Sequence, residues 1–219
     1  MSNDCCAAGP GNDWEAQFGA KRAANDLREY RRRGPSQHTA RLIELIAAEG
    51  IAGATLVDVG GGVGAIGHAL LERGLASATH VDASGAYLDA AREEAARRGF
   101  ADRIRFVHGD VVAEAPSIEP ADIVTLDRVI CCDPRFDAVV TSTAALATRL
   151  YGLVYPRDTW WTRAAARAER AWNRLRRGSF TVWVHPTNRL VATLSAMGFS
   201  PVATERMGLV WEAAVFRRA

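Results

Sequence analysis

A glycine-rich turn is the segment whose residue types and spacing have the clearest chemical meaning. It occupies residues 57–64, Val-Asp-Val-Gly-Gly-Gly-Val-Gly, and overlaps the end of a short apolar segment, Thr55–Val59. Glycine at alternate positions lets a backbone turn sharply and approach a ligand closely, as at the strand-to-helix turns of nucleotide-binding sheets. The ligand contacts predicted in this turn are Gly60, Gly61, Gly62 and Gly64.

Two acidic residues bear on which nucleotide the turn holds. Asp58 lies just before the glycines, where a carboxylate would repel a pyrophosphate but could meet the ammonium group of S-adenosylmethionine (SAM) through bridging contacts. Asp82 ends the second apolar strand, where it can accept hydrogen bonds from both ribose hydroxyls. NAD would use Asp82 too, and the looser dinucleotide pattern is met by Gly60, Gly62 and Ala65. Asp58 therefore favours SAM over NAD.

Two further acids end the next two strands. Asp110 follows the third strand, where it could accept a hydrogen bond from an adenine amine. Asp127 ends the fourth strand, which faces the reacting centre of such a sheet. Ligands bind beyond the carboxyl ends of parallel strands, so all four acids should converge on one crevice. The predicted cofactor contacts there include their neighbours Ala83, Gly109 and Val111.

Short apolar segments alternate with helical patterns from residue 54 onward. This order predicts a Rossmann-like, doubly wound α/β sheet of seven strands, mostly parallel, whose last two strands form an antiparallel hairpin. We expect helices at Val63–Arg73 and 136–149. Residues 1–13 read as a flexible tail and 36–219 as the catalytic domain. Between them, residues 14–35 read as a helix with a sparse apolar stripe, expected to act as a mobile lid.

The glycine turn, the acids after strands two and three, and the late hairpin together resemble the class I SAM-dependent methyltransferases over residues 36–219. The resemblance implies that the glycine turn cradles the methionine part of SAM, Asp82 holds ribose and Asp110 contacts adenine. S-adenosylhomocysteine would be the product. More narrowly, Asp26–Gly34, the helix at 36–48 and Leu126–Cys132 resemble magnesium-protoporphyrin O-methyltransferase and its bacterial relatives. That looser resemblance does not fix the acceptor.

Three residues are candidates for catalysis. His185 precedes Pro186 at the entrance to a late helix, where a neutral imidazole could be a general base for a substrate hydroxyl or carboxyl. The alternative is a structural histidine bonded to backbone. Tyr30 could touch SAM or substrate, or be a half-buried aromatic. Asp127 is the third candidate because of its place at the end of strand four.

Residues 159–177 form a basic amphipathic pattern. The apolar members are Trp160, Trp161, Trp172 and Leu175, and arginines fill much of the remainder. Such a helix could lie on a membrane surface, line an apolar substrate pocket or bind an acidic partner. The interpretation favoured here is a helix that packs on the sheet and lines the pocket.

Four cysteines occur as two adjacent pairs, Cys5-Cys6 and Cys131-Cys132. Neither pair has the spacing of a zinc site or a thioredoxin-like motif, and no metal site is predicted. The favoured interpretation is that the second pair packs as small side chains. The alternative is a soft metal or metalloid held by thiolates. Arsenite methyltransferases resemble that idea, although their cysteine spacings differ.

Composition and the absence of certain motifs argue against a nucleic-acid methyltransferase and against a membrane-spanning protein. The formal net charge of +2 recruits no nucleic acid, and the (Asn/Asp)-Pro-Pro-Tyr motif of base methyltransferases is absent after strand four. No apolar stretch approaches the ~20 residues of a membrane span. No signal peptide is recognised, so we expect a cytoplasmic monomer or homodimer, with at most peripheral membrane contact.

The function expected is SAM-dependent methylation of a small molecule, on an oxygen of an apolar or aromatic acceptor. Two alternatives stay open: a thiol or metalloid methyltransferase that uses the cysteines, and a non-catalytic SAM-binding scaffold.

Overall fold

The structure is a computed structural model that describes residues 17–175 and 181–219. Seven strands in the described residues form one sheet: β1 (Thr55–Val59), β2 (Ser77–Asp82), β3 (Ile104–His108), β4 (Ala121–Asp127), β5 (Ala147–Pro156), β6 (Phe199–Met207) and β7 (Trp211–Arg218). The helices of the same residues are α1 (Ala20–Arg33), α2 (Gln37–Ala47), α3 (Ala65–Glu72), α4 (Gly85–Arg97), α5 (Val111–Glu114), α6 (Phe136–Leu146), α7 (Trp160–Leu175) and α8 (Thr187–Ala196).

The strand order is β3-β2-β1-β4-β5-β7-β6. The first five strands pair in parallel, whereas β7 is antiparallel to both β5 and β6. The predicted fold class is therefore confirmed. Because the chain returns from β3, at one edge of the sheet, to β4 beside β1, a crevice opens beyond the carboxyl ends of β1 and β4.

Two apolar cores lie on the two faces of the sheet. Alternate residues of a strand point to opposite faces, so Val57 and Val59 of β1 join one core while Leu56 joins the other. The first core packs against α6 and α8, and the second packs against α2 and α3. These cores fix the ends of the central strands, which carry the acidic residues.

Local signals in the sequence placed most helix starts correctly. Ser36 and Ser84 cap α2 and α4, with each hydroxyl oxygen accepting a hydrogen bond from a backbone N–H. Two predicted helices were too long. The glycine turn delays the start of α3 to Ala65, and residues 147–149 extend β5 because Ala147 pairs with Ala121.

Helix α1 buries more surface than its sparse pattern indicated. Ala23, Leu27 and Tyr30 are all buried, and they form a third cluster with Tyr87 and Ala90 of α4. The sequence analysis missed Ala23, because a small residue adds little to an apolar stripe but permits close helix packing. The lid expectation stays a prediction. The tail at 1–13 and Trp14 lie outside the described residues.

Helix α7 does not pack its apolar face on the sheet, so that half of the expectation was wrong. The helix does line a cavity, through Trp161 and Ala165, as expected. The side chains turned inward are Thr162 and Ala166, which are buried. Trp160 is 76% exposed and Leu175 is 77% exposed. Small inward residues bring the helix close to the protein, and the tryptophans are left on the outside. Within the described residues no helix is both long enough and apolar enough to cross a membrane.

Candidate functional site

The glycine turn leaves β1 in a conformation that only glycine adopts easily. Gly60, Gly62 and Gly64 all have positive φ, at 59°, 56° and 82°. A Cβ atom on Gly60 would lie 2.6 Å from Val129 Cγ2, so space as well as conformation requires glycine there. Gly60, Gly61 and Gly62 line a cavity, whereas Gly64 lies outside its lining and begins α3. The structure does not place Gly64 as a direct ligand contact.

Asp82 is held rigidly beside this turn. One carboxylate oxygen accepts a hydrogen bond from Gly62 N at 3.0 Å, and the other accepts one from Ser84 N at 2.9 Å. Each carboxylate oxygen can accept a further hydrogen bond. Asp82 and its neighbour Ala83 both line the cavity. The arrangement fits a vicinal diol such as ribose, and the ribose contact stays a prediction.

The carboxylate of Asp110 is held by a hydrogen bond and an ion pair that the sequence did not indicate. Its Oδ1 accepts a hydrogen bond from Val112 N at 3.0 Å, and its Oδ2 lies 2.7 Å from Nη1 of Arg135. A hydrogen bond from an adenine amine would have to share a carboxylate already paired with this guanidinium. Gly109, Asp110 and Val111 line the same cavity as Asp82.

Asp58 lies behind the glycine turn rather than in the cavity. Its side chain is 1% exposed, and Oδ1 accepts a hydrogen bond from Thr125 at 2.7 Å. Oδ2 has no hydrogen-bond partner among the described residues. A Cβ on Gly61 would lie 2.6 Å from this oxygen, so the turn covers it closely. Direct contact between Asp58 and a cofactor is therefore excluded in this arrangement, and any contact runs through the turn.

Burial raises the pKa of Asp58 from 3.8 to about 7, against the opposing hydrogen bond from Thr125. The folded-state pKa lies above the unfolded value, so Asp58 stabilises the fold fully below about pH 4 and loses that contribution as pH rises through 7. We expect Asp58→Asn to melt at increasingly higher temperature relative to the wild type as pH rises from 4 to 8. Melting curves of both proteins test this, with exposed Asp102→Asn as control. A melting difference that does not change with pH would contradict the assignment.

The cavity extends from the glycine turn across the end of β4 to α7. Its volume is about 1010 Å³. Drug-sized ligands occupy pockets of roughly 300–1,000 Å³, so there is room for a nucleotide-sized cofactor and a second molecule. Asp127, at the end of β4, separates the part of the cavity next to the glycine turn (the inner half) from the part next to α7 (the outer half). Its carboxylate accepts hydrogen bonds from Thr39 at 2.6 Å and from Arg128, whose Nε lies 2.9 Å away.

Comparison with known proteins finds a match to a known domain in the central part of the chain. Residues 56–151, which include the glycine turn and the ends of β2, β3 and β4, match the family model of a methyltransferase domain. This part of the chain is therefore similar to a methyltransferase domain. No curated protein sequence matches the chain.

Solved structures show the same fold at low sequence identity. Magnesium protoporphyrin IX methyltransferase from Synechocystis PCC 6803, with bound SAH, is 17% identical with a TM-score of 0.68, and the match covers 94% of this chain and 93% of that one. An O-methyltransferase family protein from Burkholderia thailandensis is 17% identical with a TM-score of 0.71, covering 94% and 63% of the two chains. The resemblance stated from the sequence is confirmed.

The residues of the cavity fit SAM. The positive-φ glycines leave space where a Cβ atom would stand, and Asp82 presents two carboxylate oxygens that backbone N–H groups hold in place. We propose that Gly60, Gly61 and Gly62 cradle the methionine part, that Asp82 holds ribose, and that the stretch 109–111 faces adenine.

One of the predicted catalytic residues, His185, occupies a structural position. Nε2 of His185 lies 2.9 Å from the carbonyl oxygen of Ile130 and 3.1 Å from that of Asp133. A nitrogen between two carbonyls carries the proton and donates it, and His185 is not among the cavity-lining residues. The structure therefore does not support His185 as a general base. Burial lowers its pKa, which keeps the ring neutral.

Tyr30 lines the cavity, although the residue is buried, with only 5% of its surface exposed. Its ring stacks on His68, and the guanidinium of Arg98 lies 5.0 Å from its centroid. Burial raises the pKa of Tyr30 to about 12. A phenol with this pKa stays protonated and can donate a hydrogen bond to a ligand, but it is a poor base near pH 7.

Cys131 and Cys132 line the cavity with their sulfur atoms 3.8 Å apart. Both thiols point at the carbonyl oxygen of Arg128, at 3.2 and 3.3 Å. The hydrogen bond with the thiol of Cys132 raises the pKa of Cys131, and burial raises it further. In the described part of the chain no group of three or more His, Cys, Asp or Glu is arranged to hold a metal ion. Cys5 and Cys6 lie outside the described residues.

Sequence reasoning missed the positive charges of the cavity. Arg128 and Arg135 both line it, and Thr39 from α2 bridges to Asp127. Arg128 has a φ of 60°, which is uncommon for a residue other than glycine and often marks a functional site. Nothing in the spacing of the sequence signals this backbone conformation. The only signal for Arg128 in the sequence was its position directly after Asp127, the acid that ends β4.

Proposed function

We propose that this methyltransferase transfers a methyl group to an already ionised oxygen, a carboxylate or a phenolate, of a small apolar or aromatic acceptor. The observation that carries the proposal is the composition of the outer half of the cavity. Apolar residues dominate its walls: Trp161, Ala165, Ala166, Val182, Val184 and Trp211. The charged groups at its inner end are Asp127 and the guanidinium of Arg128.

The charges at the inner end favour an ionised acceptor. Asp127 is neutralised by Arg128, which contacts both carboxylate oxygens at 2.9 and 3.0 Å. Arg128 keeps 41% of its side chain exposed. An acidic acceptor placed against this guanidinium would be held by a charge-assisted hydrogen bond. A carboxylate or phenolate needs no deprotonation, which agrees with the position of His185 outside the cavity.

When bound, SAM supplies an electrophilic methyl group on a positively charged sulfur. The protein's own residues then bind, orient and desolvate the nucleophile. Arg128 would hold the acceptor oxygen, the apolar walls would exclude water, and Trp161 would offer a ring face for stacking. The acceptor oxygen forms the new O–C bond as the S–C bond breaks, and the bonding pair stays on sulfur.

A panel of acceptors with SAM carrying a labelled methyl group tests the proposal. We expect incorporation with aromatic carboxylic acids, among them a protoporphyrin dicarboxylate, or with phenols, and little with amines or thiols. Arg128→Gln should raise the acceptor KM by roughly tenfold or more through loss of a charged hydrogen bond, with SAM affinity unchanged. Arg105→Gln, on the exposed side of β3, serves as the matched control.

A thiol or metalloid acceptor is the second candidate, because both Cys131 and Cys132 line the cavity. The double variant Cys131→Ser/Cys132→Ser distinguishes methylation of oxygen from methylation of a thiol or metalloid. Full oxygen methylation by this variant would support the first proposal. Methylation restricted to arsenite or thiols, and lost in the double variant, would overturn it.

A further inference from the structure

The apolar face of α7 is turned away from the rest of the described structure. Trp160 is 76% exposed and Leu175 is 77% exposed. Between them, at helical spacing, three exposed alanines continue the same face: Ala164, Ala168 and Ala171. Contiguous apolar patches of this kind are uncommon on proteins that have no partner surface.

The turn between β6 and β7 extends this face. Nε1 of Trp161 donates a hydrogen bond to the carbonyl oxygen of Leu209 at 3.2 Å, which fixes the turn beside the helix. The rings of Trp160 and Trp161 meet edge to face at 5.7 Å. Leu209 is itself 75% exposed. Trp160, Trp161, Leu175 and Leu209 therefore form one continuous region, called the Trp–Leu surface below.

Positive charge is concentrated beside the Trp–Leu surface. The described side chains of residues 157–173 include four arginines and two acidic residues, although the whole chain has a formal net charge of only +2. Arg163 and Arg167 are exposed on the flank of α7 next to Trp160, and Arg163 is paired with Asp158. An apolar face bordered by arginines is complementary to a surface with an apolar interior and a negatively charged boundary.

We propose that the Trp–Leu surface docks the methyltransferase on an anionic lipid bilayer. Trp160, Leu175 and Leu209 enter the boundary between headgroups and acyl chains, while the arginine flank lies against the phosphates. A second copy of the chain is a poorer occupant, because a twofold contact across this face would bring two arginine flanks together.

Docking in this orientation places the cavity against the bilayer. Trp161 lines the cavity as well as the Trp–Leu surface, and Val210, next to Leu209, is a second lining residue. An apolar acceptor could then pass from the bilayer into the cavity without crossing water. This consequence rests on the proposed function, whereas the docking itself does not depend on which acceptor is methylated.

Sedimentation of the full chain with vesicles tests the docking. We expect binding to vesicles of phosphatidylcholine with about one third phosphatidylglycerol, weakened by salt, and little binding to phosphatidylcholine alone. Trp160→Ser/Leu209→Ser should lower the partition coefficient by about tenfold or more, and Arg167→Gln by about fivefold. The matched controls are Val202→Ser in β6 and Arg105→Gln in β3, which should bind as the wild type does.

SAM affinity measured by calorimetry shows that each variant is folded, because neither Trp160, Leu209 nor Arg167 lines the cavity. Equal binding of the wild type to neutral and anionic vesicles would overturn the proposal, as would unchanged binding of the double variant. A fall in the solution mass of Trp160→Ser/Leu209→Ser would also overturn it, since the surface would then join two copies of the chain. Loss of vesicle binding with methylation of a soluble acceptor intact separates this proposal from the proposed function.

Discussion

A chain that begins at Gly34 is expected to fold and to bind SAM, but to turn over its acceptor at least roughly a hundredfold more slowly. The segment removed supplies Phe18 to the cavity wall, together with Arg22, Asp26 and Tyr30 of α1. Without it the reacting centre is open to water and the acceptor loses one side of its site.

The truncated chain should fold because α1 has a cluster of its own. Ala23, Leu27 and Tyr30 pack against α4 and take no part in the two cores of the sheet. Buried Glu94 loses its partner Arg31 but keeps Arg97 and Arg98, at 2.6 and 2.7 Å. The two cores and this ion pair cluster survive the truncation.

Calorimetry, circular dichroism and labelled-methyl turnover on the truncated chain provide the measurement. Hydrogen exchange on the full chain should show α1 gaining protection when S-adenosylhomocysteine and acceptor are both present. A milder variant, Tyr87→Phe, removes the hydrogen bond between Tyr87 and Asp26 and should speed exchange in α1 without unfolding the domain. The lid interpretation fails if the truncated chain unfolds or retains its full rate.

Asp82→Ala is expected to raise the dissociation constant of SAM by roughly a hundredfold or more. Hydrogen bonds to a charged group contribute about 1.5–3 kcal/mol each, and the carboxylate would offer acceptors to two ribose hydroxyls. The substitution also releases Gly62 N and Ser84 N, which now hold Asp82 in place. The loss therefore includes some order of the glycine turn.

Calorimetric titration with SAM measures this effect, with Asp102→Ala as the control for removal of an exposed aspartate. Asp82→Asn sharpens the test, because it keeps one side-chain oxygen and should lose less affinity than alanine. Unchanged SAM affinity in a folded Asp82→Ala protein would show that ribose lies elsewhere.

The sequence predicted which strand ends meet at the cavity, because the residues of the glycine turn and the strand-ending acids follow local patterns. A glycine turn after an apolar strand and acids at the ends of later strands are set by the chain itself, and the parallel sheet brings them together. Asp82, Gly109 and Asp110 accordingly lie on one cavity, as expected. The sequence placed Asp58 correctly at the end of β1. Its burial behind Gly61 depends on two residues of neighbouring strands, Thr125, which donates a hydrogen bond to it, and His80, which also lies against Gly61.

The outer half of the site depended on contacts between distant parts of the chain. Thr39 and Asp127 are 88 residues apart, and the two carbonyls that bond His185 are more than 50 residues from it. No spacing rule reaches across such distances, so the sequence left both interpretations of His185 open, a general base and a structural histidine bonded to backbone. Arg128 became visible only through its backbone conformation and its position in the cavity.

By itself, the sequence determined the class of fold, the order of strands and helices, and the identity of the residues at the strand ends. These follow from hydrophobic periodicity, capping residues and glycine positions, which act over a few residues. Only the tertiary structure decided which face of α7 meets solvent, how far α1 is buried, and which charges surround the acceptor. Those properties depend on which surfaces remain to be covered once the sheet has formed, and that is a property of the whole packed chain.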